Sequence, residues 1–198
     1  EDIRNAYAVR EVSNMEILSN LLPERVSSPL SINSLREDLN VAFDSIKNWL
    51  MILEQFYYFF SIRPYSKHLS RAIKKETKIY LYDWSEIKDE SKRFENIIAF
   101  HLYKAVNLWN ASGFGNFSLT YIRDKEGREV DFLVLKDGDP FFLVEAKFSD
   151  ANISKNLLYF QEKIKAPFAI QIVNSKNIMK KMSGQGTIQY VISADDFL

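Results

Sequence analysis

The chain has no cysteine. That excludes disulfides, thiolate zinc sites and a cysteine nucleophile. It has two histidines, His68 and His101, too few for a histidine-rich metal cage. It also has no excess charge of either sign, since 26 Lys and Arg balance 26 Asp and Glu. A protein that coats nucleic acid without specificity is usually basic overall, so any phosphate contact must come from a local patch. No apolar run reaches the eighteen residues that a membrane-spanning helix needs. The nearest, "NWLMILEQFYYFF", is interrupted by Glu54 and Gln55. No secretory leader is recognisable at the start, which reads as the middle of a longer protein. None of the six glycines precedes a Lys-Ser or Lys-Thr pair, so the chain has no phosphate-binding Walker loop.

What remains is ample for a core: 46% of the 198 residues are hydrophobic and 14% aromatic. Residues 1–22 have helical spacing, and "PERVSSPLS" breaks the pattern with Pro23 and Pro29. "INSLREDLN" predicts a short amphipathic helix, and "VAFDSIKNWLMILEQF" a longer one with Phe43, Ile46, Trp49, Leu50 and Leu53 on one face. The strands "YYFFSIRPY" and "KIYLYD" follow, separated by the basic "SKHLSRAIKKET". That order is the order of a winged helix-turn-helix. A charged connector, "SEIKDESKR", then leads into an α-β-β-β-α-β-β succession, with a Lys-rich stretch between the last two strands. The expected division is 1–84 and 85–198.

The chemistry concentrates in "EVDFLVLKDGDPFFLVEAKFS", residues 129–149. Two apolar strands flank the turn KDGDP, yet each carries an acid. In an antiparallel hairpin centred on Gly138, partner numbers sum to 276, as those of Asp131 and Glu145 do. The two carboxylates would then lie ~5 Å apart at Cβ, with Lys147 on the face of Glu145. Adjacent carboxylates repel unless one is protonated or a cation intervenes. Mg2+ or Mn2+ suits such a pair, because these ions take one or two carboxylates plus water and phosphate oxygens, and can activate a water. The bland alternative is a polar sheet face with a salt bridge. Glu-x-Lys by itself carries no information. About 0.7 copies are expected in a chain this long, and four are present; only the copy at Glu145 sits in an apolar strand.

The order of elements, with Asp131 on the second strand and Glu145-x-Lys147 on the third, resembles the PD-(D/E)xK nuclease superfamily. The resemblance implies a restriction-endonuclease-like αβββαβ domain in which Asp131, Glu145 and Lys147 are catalytic. It adds Glu95, in the helix "RFENIIAFHLYKAV", as an accessory acid; a charge stabilising a helix first turn explains Glu95 equally well. Val130 stands where the family name has proline. More narrowly, "KIYLYD", "FENIIAFHLY" and "EVDFLVLKDGDPFFLVEAK" resemble the C-terminal half of a family of prokaryotic AAA-type ATPases. That resemblance implies a cytoplasmic protein with an ATPase module before Glu1, and a tail whose function in the family is itself undefined. A homo-oligomer is left open.

For nucleic acid the better candidate is the basic loop rather than the second helix of the helix-turn-helix. Arg63, Lys67, Arg71, Lys74, Lys75 and Lys78 fall within sixteen residues and could lie along a phosphate backbone. Lys176, Lys180 and Lys181 are a second cluster, expected at the sheet end near the hairpin. In "QFYYFF" five aromatics in six residues read as packing rather than as a stacking surface. Three functions stay open on the sequence: a metal-dependent nuclease module, a non-catalytic interaction module that tethers an ATPase, and a transcription regulator on a degenerate nuclease fold.

Overall fold

The structure, a computed structural model, describes residues 2–66, 77–149, 152–184 and 186–198, with side chains from Glu11 onward. Helix α1, Asp2–Arg25, runs through Pro23 instead of stopping before it. Proline has no N–H to give the carbonyl four residues back. Here that carbonyl, Ser19 O, lies 2.9 Å from the Tyr58 hydroxyl, whose single proton it shares with the Glu86 carboxylate at 2.6 Å. Helix α2, Ile32–Leu39, is capped by the Ser31 side chain, which accepts from the Ser34 N–H, and ends at Asn40 in the left-handed conformation. Helix α3, Phe43–Gln55, buries Ile46, Trp49 and Leu50 at the expected helical spacing. With Leu18, Leu22, Val26 and Leu35 these form a helical core. Phe43, expected on that face, is 44% exposed.

Strands β1, Phe59–Pro64, and β2, Lys78–Leu81, pair antiparallel, Phe60 opposite Tyr80. The hairpin belongs to two cores at once. Alternation sends Phe59, Ile79 and Leu81 into the helical core, and Phe60, Ile62 and Tyr80 into the main one. "QFYYFF" divides likewise: Phe59 and Phe60 are buried, whereas Phe56 and Tyr57 are exposed.

Beyond a 3-10 turn at Trp84–Glu86, helix α4 spans Glu90–Ala111. The connector expected to be solvated therefore already contains the first turn of this helix. Asp89 is its N-cap and accepts from the Lys92 N–H at 2.9 Å, and Ile87 is buried in the helical core. Strands β3, Phe117–Arg123, β4, Glu129–Lys136, and β5, Asp139–Lys147, form an antiparallel meander. Helix α5, Lys155–Ile164, then crosses to β6, Phe168–Val173, which runs parallel to β5. Strands β7, Met179–Gly184, and β8, Thr187–Ser193, close the sheet as a hairpin, and the short α6, Ala194–Phe197, ends it. The Lys-rich stretch is thus strand β7; every residue in it is exposed, so it has no apolar alternation to betray it.

β1 pairs parallel with β3 through Arg63 and Pro64, giving one eight-stranded mixed sheet in the order β2-β1-β3-β4-β5-β6-β8-β7. The chain is a mixed α/β protein with six α-helices among the described residues. Phe94, Ile98, Ala99 and Leu102 of α4 pack against Phe132, Val134 and Val144. Leu157 and Phe160 of α5 pack with Val130, Leu133 and Leu143 in a separate core. Among the described residues no helix is long and apolar enough to cross a membrane.

A candidate carboxylate–lysine centre

The β4–β5 hairpin reaches the expected register by an unexpected route. Its turn is the two residues Asp137 and Gly138, both at positive φ, a conformation that Gly138 adopts without a steric penalty. The pairs next to the turn, Lys136 with Asp139 and Leu135 with Pro140, are one residue off. A bulge then accommodates Phe141, and from Val134–Phe142 to Phe132–Val144 the numbers sum to 276.

The ladder stops there, and the next two residues use side chains instead. Asp131 Oδ2 accepts from the Ala146 N–H at 2.9 Å, and the Asp131 N–H in turn serves the Glu145 carboxylate. A second irregularity re-aims Asp131. Between the pairs Ile122–Val130 and Thr120–Leu133, β3 advances two residues and β4 three, so β4 carries an extra residue at 131–132. Accordingly Val130 belongs to the α5-side core and Phe132 to the α4-side core, although they are two residues apart. Bulges are common beside functional sites for this reason.

The structure brings Asp131, Glu145, Lys147 and Glu95 into one electrostatic cluster, and adds two residues not expected there. Lys78, assigned from its sequence neighbours to the basic loop, is 1% exposed and cannot lie along a phosphate backbone. Its ammonium is 2.6 Å from Glu129 Oε1, 3.5 Å from Glu95 Oε1 and 4.0 Å from Asp131 Oδ1. Glu129 was missed. Strand alternation was the available signal for both: Lys78 shares a face with the apolar-facing Tyr80, and Glu129 with Asp131. Glu95 also accepts from the Tyr80 hydroxyl at 2.7 Å. Lys147 Nζ stands 2.8 Å from Glu145 Oε1.

Burial dominates the acid–base properties. It raises Glu145 to about 7, helped by the Asp131 charge and opposed by Lys147. It raises Glu95 to about 8, again with Asp131 and against Lys78 and Tyr80. Asp131 is also raised by burial, against Lys78, the Ala146 N–H and Lys147. For both lysines burial works the other way and is outweighed. Glu95, Asp131 and Glu129 hold the Lys78 amine above its ordinary value, and Glu145 with Asp131 does so for Lys147. Lys147 is thus a protonated cation in this arrangement, suited to balancing negative charge rather than to abstracting a proton.

The donors suit a divalent cation only in part. Among the described residues no three carboxylates or histidines converge as a ready cage. One atom, however, has no partner: Glu145 Oε2 is buried and accepts nothing. Unsatisfied buried polar atoms are rare and costly. With Asp131 beside it, the fit is two carboxylates completed by water, the way Mg2+ is usually held.

A profile described as a domain of unknown function (DUF4143) matches residues 90–196. The chain belongs to the DUF4143 family. This domain is typically the C-terminal part of AAA-ATPase-associated proteins. Residues 1–85 match a second domain of unknown function (DUF8612). No curated protein matches the chain. In this DUF4143 member, all of Asp131, Glu145, Lys147, Glu95 and Glu129 lie within the matched segment, and Lys78 within the other.

Of the remaining candidates, Lys67, Arg71, Lys74 and Lys75 lie outside the described residues. Arg63 is exposed on β1, one residue beyond Ile62, the strand partner of Lys78. Lys180 sits in the register row of Glu145 through Val191 and Gln171, three strands away or roughly 14 Å. It lies on the edge strand β7, across the sheet from the centre rather than beside it.

Proposed function

We propose that the chain is the C-terminal, nucleic-acid-associated module of an ATPase, a winged helix joined to a PD-(D/E)xK-like domain whose centre hydrolyses phosphodiesters with a divalent cation. The observation that carries this reading is the unpartnered Glu145 Oε2 beside Asp131, at the point where the β4–β5 ladder gives way to side chains. Asp131 and Glu145 would hold Mg2+ or Mn2+, which supplies Lewis-acid activation of water and charge neutralisation at the phosphate. Lys147 places its positive charge beside Glu145, where it can balance a phosphate oxygen. Glu95 is an accessory acid. In the hydrolysis, the water oxygen stays on phosphorus, one P–O ester bond breaks, and the departing oxygen takes up a proton. Arg63, with Lys67, Arg71, Lys74 and Lys75, would supply the phosphate contacts that hold the strand.

The test separates binding from cleavage. Millimolar Mn2+ should raise the melting temperature of the wild type, because a ligand of the folded state stabilises it. Glu145→Gln should abolish that shift. Lys147→Ala should keep it and lose metal-dependent cleavage of duplex DNA, single strands or RNA. No shift and no Glu145-dependent cleavage would refute the reading.

One observation favours a second reading, a non-catalytic module that tethers or regulates the ATPase. The Lys78 ammonium already stands among three of the acids, as in a self-neutralised structural network. On that reading Mn2+ has no effect, while binding to nucleic acid or a protein partner persists in Glu145→Gln.

A further inference from the structure

The sheet has two ends, and the chain treats them differently. At β2 the outer edge is covered. The Ser27 N–H donates to the Ile79 carbonyl at 3.4 Å, the Leu30 N–H donates to the Thr77 carbonyl at 2.8 Å, and Pro29 bridges to Lys78. At the other end β7 pairs with β8, and among the described residues no strand pairs with its outer edge. Its register is unbroken from Met179–Ile192 to Gly184–Thr187, with no bulge and no proline. An open, regular edge strand is a template for pairing with another chain.

The Ser193 N–H donates to the Ile178 carbonyl at 2.8 Å, which fixes the phase of the β7–β8 ladder. Hydrogen-bonded pairs alternate along antiparallel strands. Lys180, Met182 and Gly184 thus turn their backbone groups to β8, and Met179, Lys181 and Ser183 turn theirs outward. The side chains are as distinctive. Met179 is 60% exposed and Met182 38%, and they flank two lysines. Among the described residues neither Lys180 nor Lys181 has a carboxylate partner. An outward row that offers carbonyls as often as N–H groups suits a peptide, whereas a phosphate diester only accepts. A second copy of the chain would bring its own two lysines to the same seam, and like charges opposed across strands destabilise. Lysines on an edge discourage strands in general. They favour a strand that carries acids.

We propose that β7 is a docking edge for an acidic, extended segment of a partner protein, which adds to the sheet as a further strand. The order Met179, Lys180, Lys181, Met182 selects the run apolar-acid-acid-apolar. Adjacent acids on the added strand leave opposite faces, so one meets Lys180 and the other Lys181. The methionine thioethers pack against apolar residues of varied shape. The main chain supplies affinity, and these four side chains supply selectivity. The edge is three strands from the carboxylate–lysine centre, so docking is independent of the chemistry proposed there.

The probe is a labelled synthetic peptide with the central run Val-Asp-Glu-Val, followed by fluorescence anisotropy up to sub-millimolar protein. The wild type is expected to bind it, less tightly as salt rises. Lys180→Glu with Lys181→Glu alters only exposed side chains and should keep the wild-type melting temperature. It should weaken this peptide about tenfold or more, and bind a Val-Lys-Lys-Val peptide in its place. N-methylation at one of the two acids should abolish binding and at the other should not, because alternate residues face the edge. No binding by the wild type overturns the proposal. So does equal sensitivity to methylation at both acids, which would leave charge attraction without strand addition. A single-stranded oligonucleotide that binds more tightly than the peptide, and loses affinity in the double variant, would make the edge a phosphate contact. A wild-type dimer in sedimentation that Ser183→Pro breaks, by removing an outward N–H, would assign the edge to a second copy. Either result overturns the proposal.

Discussion

Glu145→Gln offers a measurement that needs no substrate and no metal. Glutamine copies the protonated acid in shape and keeps an oxygen for Lys147, but never ionises. In the folded chain burial and Asp131 hold Glu145 at about 7. In the unfolded chain it titrates near 4.3–4.5. The folded state therefore binds the proton more tightly than the unfolded state, and stability must fall as pH rises between these values. The slope is about 1.4 kcal/mol per pH unit over roughly 2.5 units. The total is about 3 kcal/mol, present below pH ~4.5 and lost by pH ~7. The residue is buried, so solvent screening does not erase it. The variant is expected to gain on wild type by this amount, roughly 6–12 °C in melting temperature for a chain of this size. Urea unfolding in chelator-containing buffers, from about pH 4.5 to 8, would show two curves that diverge with pH. Parallel curves, or a wild type that is the more stable at pH ~8, would refute the picture of a carboxylate held against its charge.

Two further outcomes are expected. Asn96 is buried on α4 and its amide accepts from the Leu81 N–H and donates to the Leu81 carbonyl, both at 2.8 Å; Asn96→Ala orphans two backbone groups and should cost about 2–4 kcal/mol in a urea titration, and a loss below about 0.5 kcal/mol would show that water replaces the amide. Duplex DNA binding, measured against salt, should lose about 0.9 of log–log slope for each phosphate contact removed; Lys74→Ala with Lys75→Ala should flatten that slope, and an unchanged slope would return the basic loop to ordinary solvated surface.

The hairpin was legible because two acids symmetric about a glycine turn leave little choice of register. Its details were not, since a two-residue turn and a bulge at Phe141 cancel one another and leave the same pairing. Helix α3 could be read because its apolar spacing decides its buried face. Strand β7 could not, because an edge strand exposed on both sides has no apolar pattern to read. Lys78 shows the limit most clearly. Charge density along the chain grouped it with neighbouring cations, whereas its environment is set by Glu95 and Glu129, which lie 17 and 51 positions downstream. Only the alternation of Lys78 with Tyr80 along one short strand hinted that it pointed inward.

The seam between the two matched segments falls at residues 86–89 along the chain, but not in space. In packing terms it runs down the middle of the β1–β2 hairpin, whose two faces feed different cores. A shuffling event that joined residues 90–198 to another partner would leave behind Phe60, Ile62 and Tyr80, and with them the ammonium of Lys78. The recipient would inherit an open aromatic face and an acidic cluster with one of its two cations gone. In this chain, then, the first segment supplies part of the packing and one of the cations of the second.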